Sequence, residues 1–229
     1  GLTWISTGQL DVAKRVLKHT AAALAPYLER GVPIVGLEPS CTAAFRSDGP
    51  ELLPEDPDVA RLQRGMRTLA EVLQGTDGWS PPRLGVDAVV QPHCHQHAVL
   101  GTGADEQLLA AAGVDATTLG GCCGLAGNFG FESGHLATSI AVAHTELLPA
   151  VDAAGASTVV LADGFSCRTQ VEQLSDGRQA MHLAELLAAG IEGRDLTDPD
   201  RLLSRPARPQ RVARRRIRRA VPFVKEARR

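Results

Sequence analysis

Between residues 8 and 30, apolar side chains recur at Leu10, Val12, Ala13, Val16, Leu17, Ala21, Leu24 and Leu28, before Gly31. That spacing predicts one long amphipathic helix. The run Val32-Pro33-Ile34-Val35-Gly36-Leu37 then predicts a short strand, and residues 57–75 a second helix. After a Pro/Gly-rich break from Gly75 to Gly85, Ala88-Val89-Val90-Gln91 predicts another strand. A helix near 104–112, a weak strand from Val114 to Leu119, a helix near 133–154 and the strand Thr158 to Ala162 complete the series. Strand, turn and helix in repetition predict an α/β fold: a short, largely parallel sheet with flanking helices.

Composition changes this picture little. A 44% hydrophobic content fits a globular chain of 229 residues, and no uncharged apolar run approaches the roughly 20 residues of a membrane span. Charge divides the chain more sharply. Residues 201–229 carry 12 Lys/Arg and one Glu, leaving 12 basic and 25 acidic residues in 1–200.

All five cysteines fall just beyond a predicted strand or in the turn that follows it. Cys41 follows Glu38-Pro39-Ser40, Cys94 lies within Pro92-His93-Cys94-His95-Gln96-His97, and Cys167 closes Asp163-Gly164-Phe165-Ser166. Cys122 and Cys123 stand side by side in GGCCGLAGNFG, residues 120–130. Open α/β sheets gather ligand groups along the C-terminal strand edge, so cysteines far apart in sequence are expected to meet there. An odd, clustered set argues against a secreted disulfide framework and for a reducing compartment, the cytoplasm or the inner face of its membrane. Loop thiolates in this arrangement suit an iron–sulfur cluster or zinc. Zinc has its own argument in the ligand-like spacing of Cys94 and His97. Glycines beside the pair are expected to bring backbone N–H groups toward sulfur.

The two halves echo each other. Gly1-Leu2-Thr3, a helix containing His19-Thr20, a strand and Cys41 parallel Gly124-Leu125-Ala126, a helix containing His144-Thr145, a strand and Cys167. The organisation expected is a truncated first half over 1–80, a second half with the cysteine site over 81–192, and a basic, disordered tail over 193–229. By this repeat Gly1 stands where Gly124 stands, so the chain reads as a piece cut within its first repeat.

The elements Pro92-His93-Cys94, Gly121-Cys122-Cys123-Gly124 and Gly164-Phe165-Ser166-Cys167 resemble the cysteine-rich CCG domain of heterodisulfide reductase B subunits and of the iron–sulfur parts of glycolate and D-lactate dehydrogenases. With Glu38-Pro39-Ser40-Cys41, His95-Gln96-His97, the stretch through Gly130, and Arg168, the pattern is most similar to the C-terminal region of large FAD-linked oxidoreductases. The resemblance covers roughly residues 1–190. It implies a [4Fe–4S] cluster on Cys94, Cys122, Cys123 and Cys167, with Cys41 a further candidate ligand of a second centre. It also implies FAD on an N-terminal region outside this chain, an FAD-binding oxidase module on the same polypeptide or another subunit, and a quinone or carrier as electron acceptor. The implied activity is electron transfer for a flavin-dependent 2-hydroxy acid dehydrogenase, the fragment alone not being catalytic. The heterodisulfide reductase motif ends in Cys-x-x-Cys, whereas Arg168, Thr169 and Gln170 follow Cys167 here. A cluster-based thiol–disulfide reductase and a structural zinc module are the alternatives.

His93, His95 and His97 read either as a proton relay beside the cluster or as a solvated loop. With Gly121, Gly124 and Arg168 they form its expected environment. Glu38, Asp163 and Arg168 are placed either to set charge near the centre or in surface ion pairs. His19 and His144 read as packing or capping residues. The basic stretch 211–219 lacks interleaved aromatics, which argues against specific nucleic-acid binding and for contact with an anionic surface or the acidic body.

Overall fold

A computed structural model describes residues 1–203; the basic stretch 211–219 lies outside the described residues. The chain runs α1 (Leu2–Ser6), α2 (Leu10–Glu29), β1 (Ile34–Gly36), α3 (Pro39–Ala43), α4 (Gly49–Leu52), α5 (Pro57–Gly65), β2 (Met66–Thr68) and α6 (Leu69–Gln74). It continues with β3 (Asp87–Val90), α7 (Gly103–Ala111), β4 (Asp115–Thr118), α8 (Leu136–Ala143), α9 (Leu147–Ala153), β5 (Val159–Leu161), α10 (Phe165–Leu174), β6 (Ala180–Met181), α11 (Leu183–Ile191) and α12 (Pro199–Leu203). Among the described residues no helix is long and apolar enough to cross a membrane.

The strands form two parallel sheets, β1-β2 and β4-β3-β5-β6. The fold is therefore α/β with short parallel sheets flanked by helices, as the periodicity predicts. In the larger sheet both faces are covered. Ala88, Val159, Leu161 and Met181 join Leu108, Leu109, Leu186 and Leu187 of α7 and α11 in one core. The alternating positions Val89, Val160 and Ala180 join Leu147, Val151 and Val171 of α9 and α10 in another. Alternation sends successive side chains to opposite faces, so both must be apolar when helices cover both.

The two sheets repeat a local design. β1 leads into the helix bearing Cys41 and pairs with β2, as β5 leads into the helix bearing Cys167 and pairs with β6. The helices after β2 and β6 both begin with a reciprocal capping box, Thr68 with Glu71 and His182 with Glu185. The copies differ in cover: Val160 is 1% exposed between β3 and β6, while Val35 is 38% exposed.

Several boundaries differ from the sequence expectation. The helix expected over 57–75 is broken by β2, because Met66 turns extended to bury its side chain in the α2–α5 core. The helix expected over 133–154 divides at residues 144–146, where Glu146 leaves helical geometry and its carboxylate accepts from Gly120 N–H at 3.3 Å. Residues 193–203, grouped by sequence with the tail, pack on the body. Leu196 enters the first core, and Asp200 pairs with Arg178 Nε at 3.0 Å while accepting from Gln179 N–H.

His182 links the two sheets. Its Nε2 donates to Leu37 O at 2.7 Å, and its Nδ1 accepts from Ala184 N–H at 2.9 Å. Replacing it with Leu removes the donor from a carbonyl at the seam. His182→Leu is expected to lower stability by about 1–3 kcal/mol in urea unfolding.

Candidate metal centre

β3 lies between β4 and β5, and all three point the same way. Cys94 follows β3, Cys122 and Cys123 follow β4, and Cys167 sits in the first turn of α10 after β5. The chain moves from β3 to β4 in one direction across the sheet and from β5 to β6 in the other. The crevice between β3 and β5 is therefore a switch point of the topology, where ligand sites form in such sheets.

The four thiols lie within electrostatic reach of one another. Burial pushes the Cys94 thiol above its usual range, and Cys122 and Cys123 push it further. Cys123 is held down at about 6, first by the Cys167 thiol donating to it and then by the Leu125 and Ala126 backbone N–H groups. Cys167 moves up, because its proton is committed to Cys123 and it is buried among the other thiols. One proton shared by a buried sulfur pair is the arrangement that a bound cation replaces. Cys123 and Cys167 sit in the second core, while Cys94 and Cys122 are exposed. The donor set thus fits a thiolate-bound metal centre with one anchored and one open side.

The glycines meet both sulfur and neighbouring protein groups. Gly124 N–H donates to Cys122 Sγ at 3.4 Å, which matches the expected approach of backbone to sulfur. The tightest contacts, however, are with protein. Gly124 has φ +88°, and a Cβ there would collide with Ser139 O of α8. A Cβ on Gly121 would stand 2.6 Å from Glu146 Oε2. Glycine here lets the turn lie against α8 and Glu146.

The histidines separate. His93 is buried beneath the turn; its Nδ1 accepts from His95 N–H at 3.2 Å and lies 3.8 Å from Cys94 Sγ. His95 Nδ1 is also 3.8 Å from that sulfur, and the two rings stack at 5.3 Å. The donor atoms of His93, Cys94 and His95 lie within 4.8 Å of one another. A nitrogen-containing site on Cys94 would therefore draw on His93 and His95. His97 lines a recess with Pro92, Cys94, Gly121 and Cys122. Gly164 carries no Cβ where His93 passes, and the two would collide otherwise.

Glu38 reaches this region from the first half. Its carboxylate accepts from Ser40 Oγ, from Cys41 N–H at 2.9 Å and from the Phe165 N–H, and it lies in the field of His93. These bonds outweigh its burial and hold the carboxyl below its usual range. Cys41 stands apart from the four thiols: burial raises it, and its neighbours are Glu38 and Ser40. Arg168 acts on Asp163. Sequence reasoning assigned no function to Asp105, Gln91 and Gln96, which the tertiary structure brings to one cleft.

No family model matches the chain. Over 196 residues it is 28% identical to one of the subunits of the anaerobic glycerol-3-phosphate dehydrogenase of Escherichia coli (strain K12), covering 83% of this chain and 49% of that protein. It is 28% identical over 183 residues to the D-2-hydroxyglutarate dehydrogenase of Pseudomonas putida, covering 79% of this chain and 17% of that one. The enzyme of the same name from Pantoea ananatis is 27% identical over 176 residues. The chain thus spans about half the length of the first relative and a much smaller share of the others.

Two outcomes follow from the geometry. Gly124→Ala is expected to lower the Tm, at a cost of about 2 kcal/mol or more from the forbidden φ and the collision with α8. Gly120→Ala, with nothing within 4 Å, is the neutral control. In metal-free protein, thiolate absorbance near 240 nm is expected to rise through about pH 6, and Cys123→Ser to abolish that step. Cys123 is an acid whose folded pKa lies below the unfolded one, so the unfolded chain holds the extra proton between about pH 6 and 9. Its contribution to stability is present above that window and is lost as pH falls through it.

Proposed function

We propose that this chain is the iron–sulfur electron-transfer part of a flavin-dependent dehydrogenase of small 2-hydroxy acids. The observation that supports the reading is that Cys94, Cys122, Cys123 and Cys167 follow the adjacent strands β3, β4 and β5 and act electrostatically on one another, two of them buried and two exposed. The relatives support it in a specific way. Their names specify different substrates, yet both belong to dehydrogenases, and the shared segment is 49% of one and 17% of the other. A segment common to different substrates is suited to the step they share, removal of electrons, rather than to substrate recognition.

Cys94, Cys122, Cys123 and Cys167 would hold a [4Fe–4S] centre, which when bound supplies one-electron redox chemistry. Cys123 and Cys167 anchor it in the core; Cys94 and Cys122 face the recess where a partner approaches. The N–H groups of Gly124, Leu125 and Ala126 hydrogen-bond the sulfurs and offset thiolate charge. FAD and the hydroxy acid belong to a module beyond this chain, and a quinone or carrier takes the electrons. Cys41, bonded into the Glu38 turn, is a ligand of a separate centre or none.

Zinc is the second reading, favoured by the His93–Cys94–His95 grouping. Anaerobic purification with iron, acid-labile sulfide and zinc quantified, followed by EPR after dithionite, separates the two. About four irons and four sulfides per chain are expected, lost in Cys122→Ser and Cys123→Ser. Tightly bound zinc without sulfide overturns the iron–sulfur reading.

A further inference from the structure

Beside the thiol turn, the ends of β3 and β5 and the first turn of α7 wall a second cleft, lined among others by Gln91, Gln96, Thr102, Asp105 and Asp163. Gln91 is 1% exposed. Its Nε2 donates to Pro92 O at 2.9 Å and to Gly121 O at 2.8 Å. Two carbonyl acceptors determine which end of the amide is nitrogen. Its Oε1 is therefore the end left over, and it is buried without a hydrogen-bond partner.

Two carboxylates line the same cleft. Asp105 Oδ2 accepts from Gln96 Nε2 at 3.0 Å. Asp163 Oδ1 accepts from Leu183 N–H at 2.8 Å and lies 3.6 Å from His182 Nδ1. His182 Nε2 donates to Leu37 O and its Nδ1 accepts from Ala184 N–H, so Nδ1 is already engaged by a backbone donor beside Asp163. Among the described residues no ion pair reaches Asp105. The cleft thus gathers acceptors and negative charge, with room for a water-sized ligand.

We propose that this cleft binds a hard divalent cation of the Mg²⁺ class, held by Gln91 Oε1 and the carboxylates of Asp105 and Asp163, with water completing the shell. Mg²⁺ takes oxygen ligands, keeps several waters and is commonly held by one or two carboxylates. Thiolates select softer metals, so the site is chemically distinct from the cysteine centre and does not rest on its content. Through Gln91 the cation would steady Gly121, and with it the turn into Cys122.

A proton competes for the same place. Burial, then Asp163 and more weakly Glu71, raise Asp105 to about 7, against the Gln96 hydrogen bond. Glu106 also lines the cleft. Asp163 is itself raised by burial and Glu185, opposed by His182, Leu183 N–H and Arg168. Cation binding therefore tightens as pH rises through about 7.

The test is isothermal titration and thermal unfolding of the chain, dialysed free of divalent ions, with MgCl₂ at pH 8 and pH 6. Saturable binding that raises the Tm at pH 8, weakened about tenfold at pH 6, is expected from displacement of one proton. Asp105→Asn, which keeps shape and removes a buried charge, is expected to abolish the Mg²⁺ response while melting higher than wild type in metal-free buffer at pH 8. Gln91→Leu is expected to weaken binding at both pH values. No response in the wild-type chain, or an equal one in Asp105→Asn, overturns the proposal.

Discussion

The site depends on the parallel pairing of β3 with β4 on one side and β5 on the other. Neighbouring strands lie about 4.8 Å apart, so three parallel ends deliver their following loops within about 10 Å of one another. The ladder continues past the strands: Leu119 N–H donates to Val90 O and Gln91 N–H to Leu161 O, both at 2.8 Å. The cysteine loops thus leave from registered backbone. A parallel sheet also needs cover on both faces, and this supplies the two cores that hold its edge rigid.

On that edge, burial and charge work against each other. Cys123 and Cys167 are packed among Val89, Leu125, Val160 and Val171, surroundings that disfavour thiolate. The turn offsets this with the N–H groups of Leu125 and Ala126, presented by a backbone that runs from positive φ at Gly124 to positive φ at Ala126 and Gly127. At Gly124 this backbone lies against α8 only because no Cβ stands between it and Ser139 O. Gly124 therefore serves both the packing of the turn and a hydrogen bond to sulfur.

The strands and the shared edge were legible because both leave local marks. Val159 and Leu161 face one core and Val160 the other, so the run is apolar throughout, and each cysteine follows a strand within a few residues. β2 was not legible: Met66-Arg67-Thr68 sits in a helical pattern, and its extension comes with pairing to β1 and burial of Met66 against α2 and α5, both set by distant residues. The break at Glu146 was hidden for a similar reason, since its cause is Gly120, 26 residues away. The spacing of Cys94 and His97 is ligand-like for zinc, while the approach of His93 and His95 to Cys94 leaves no mark in the spacing. The backbone there instead folds His95 N–H onto His93 Nδ1, turning both rings toward the sulfur. Asp105 and Asp163 share no motif, since their meeting is a product of the α7 crossover alone.

Under the proposed function, the asymmetry of the thiol set gives the centre a direction. Cys123 and Cys167 face the interior, where no redox partner can reach; Cys94 and Cys122 border the recess with His97 and Gly121. Electrons would then enter and leave by the open side. At the seam, Glu38 accepts from Cys41 N–H and Phe165 N–H and lies in the field of His93. A charge change at the thiol centre alters the field at His93, and Glu38 couples that field to the first half. The two halves are thereby linked electrostatically as well as by the His182–Leu37 hydrogen bond.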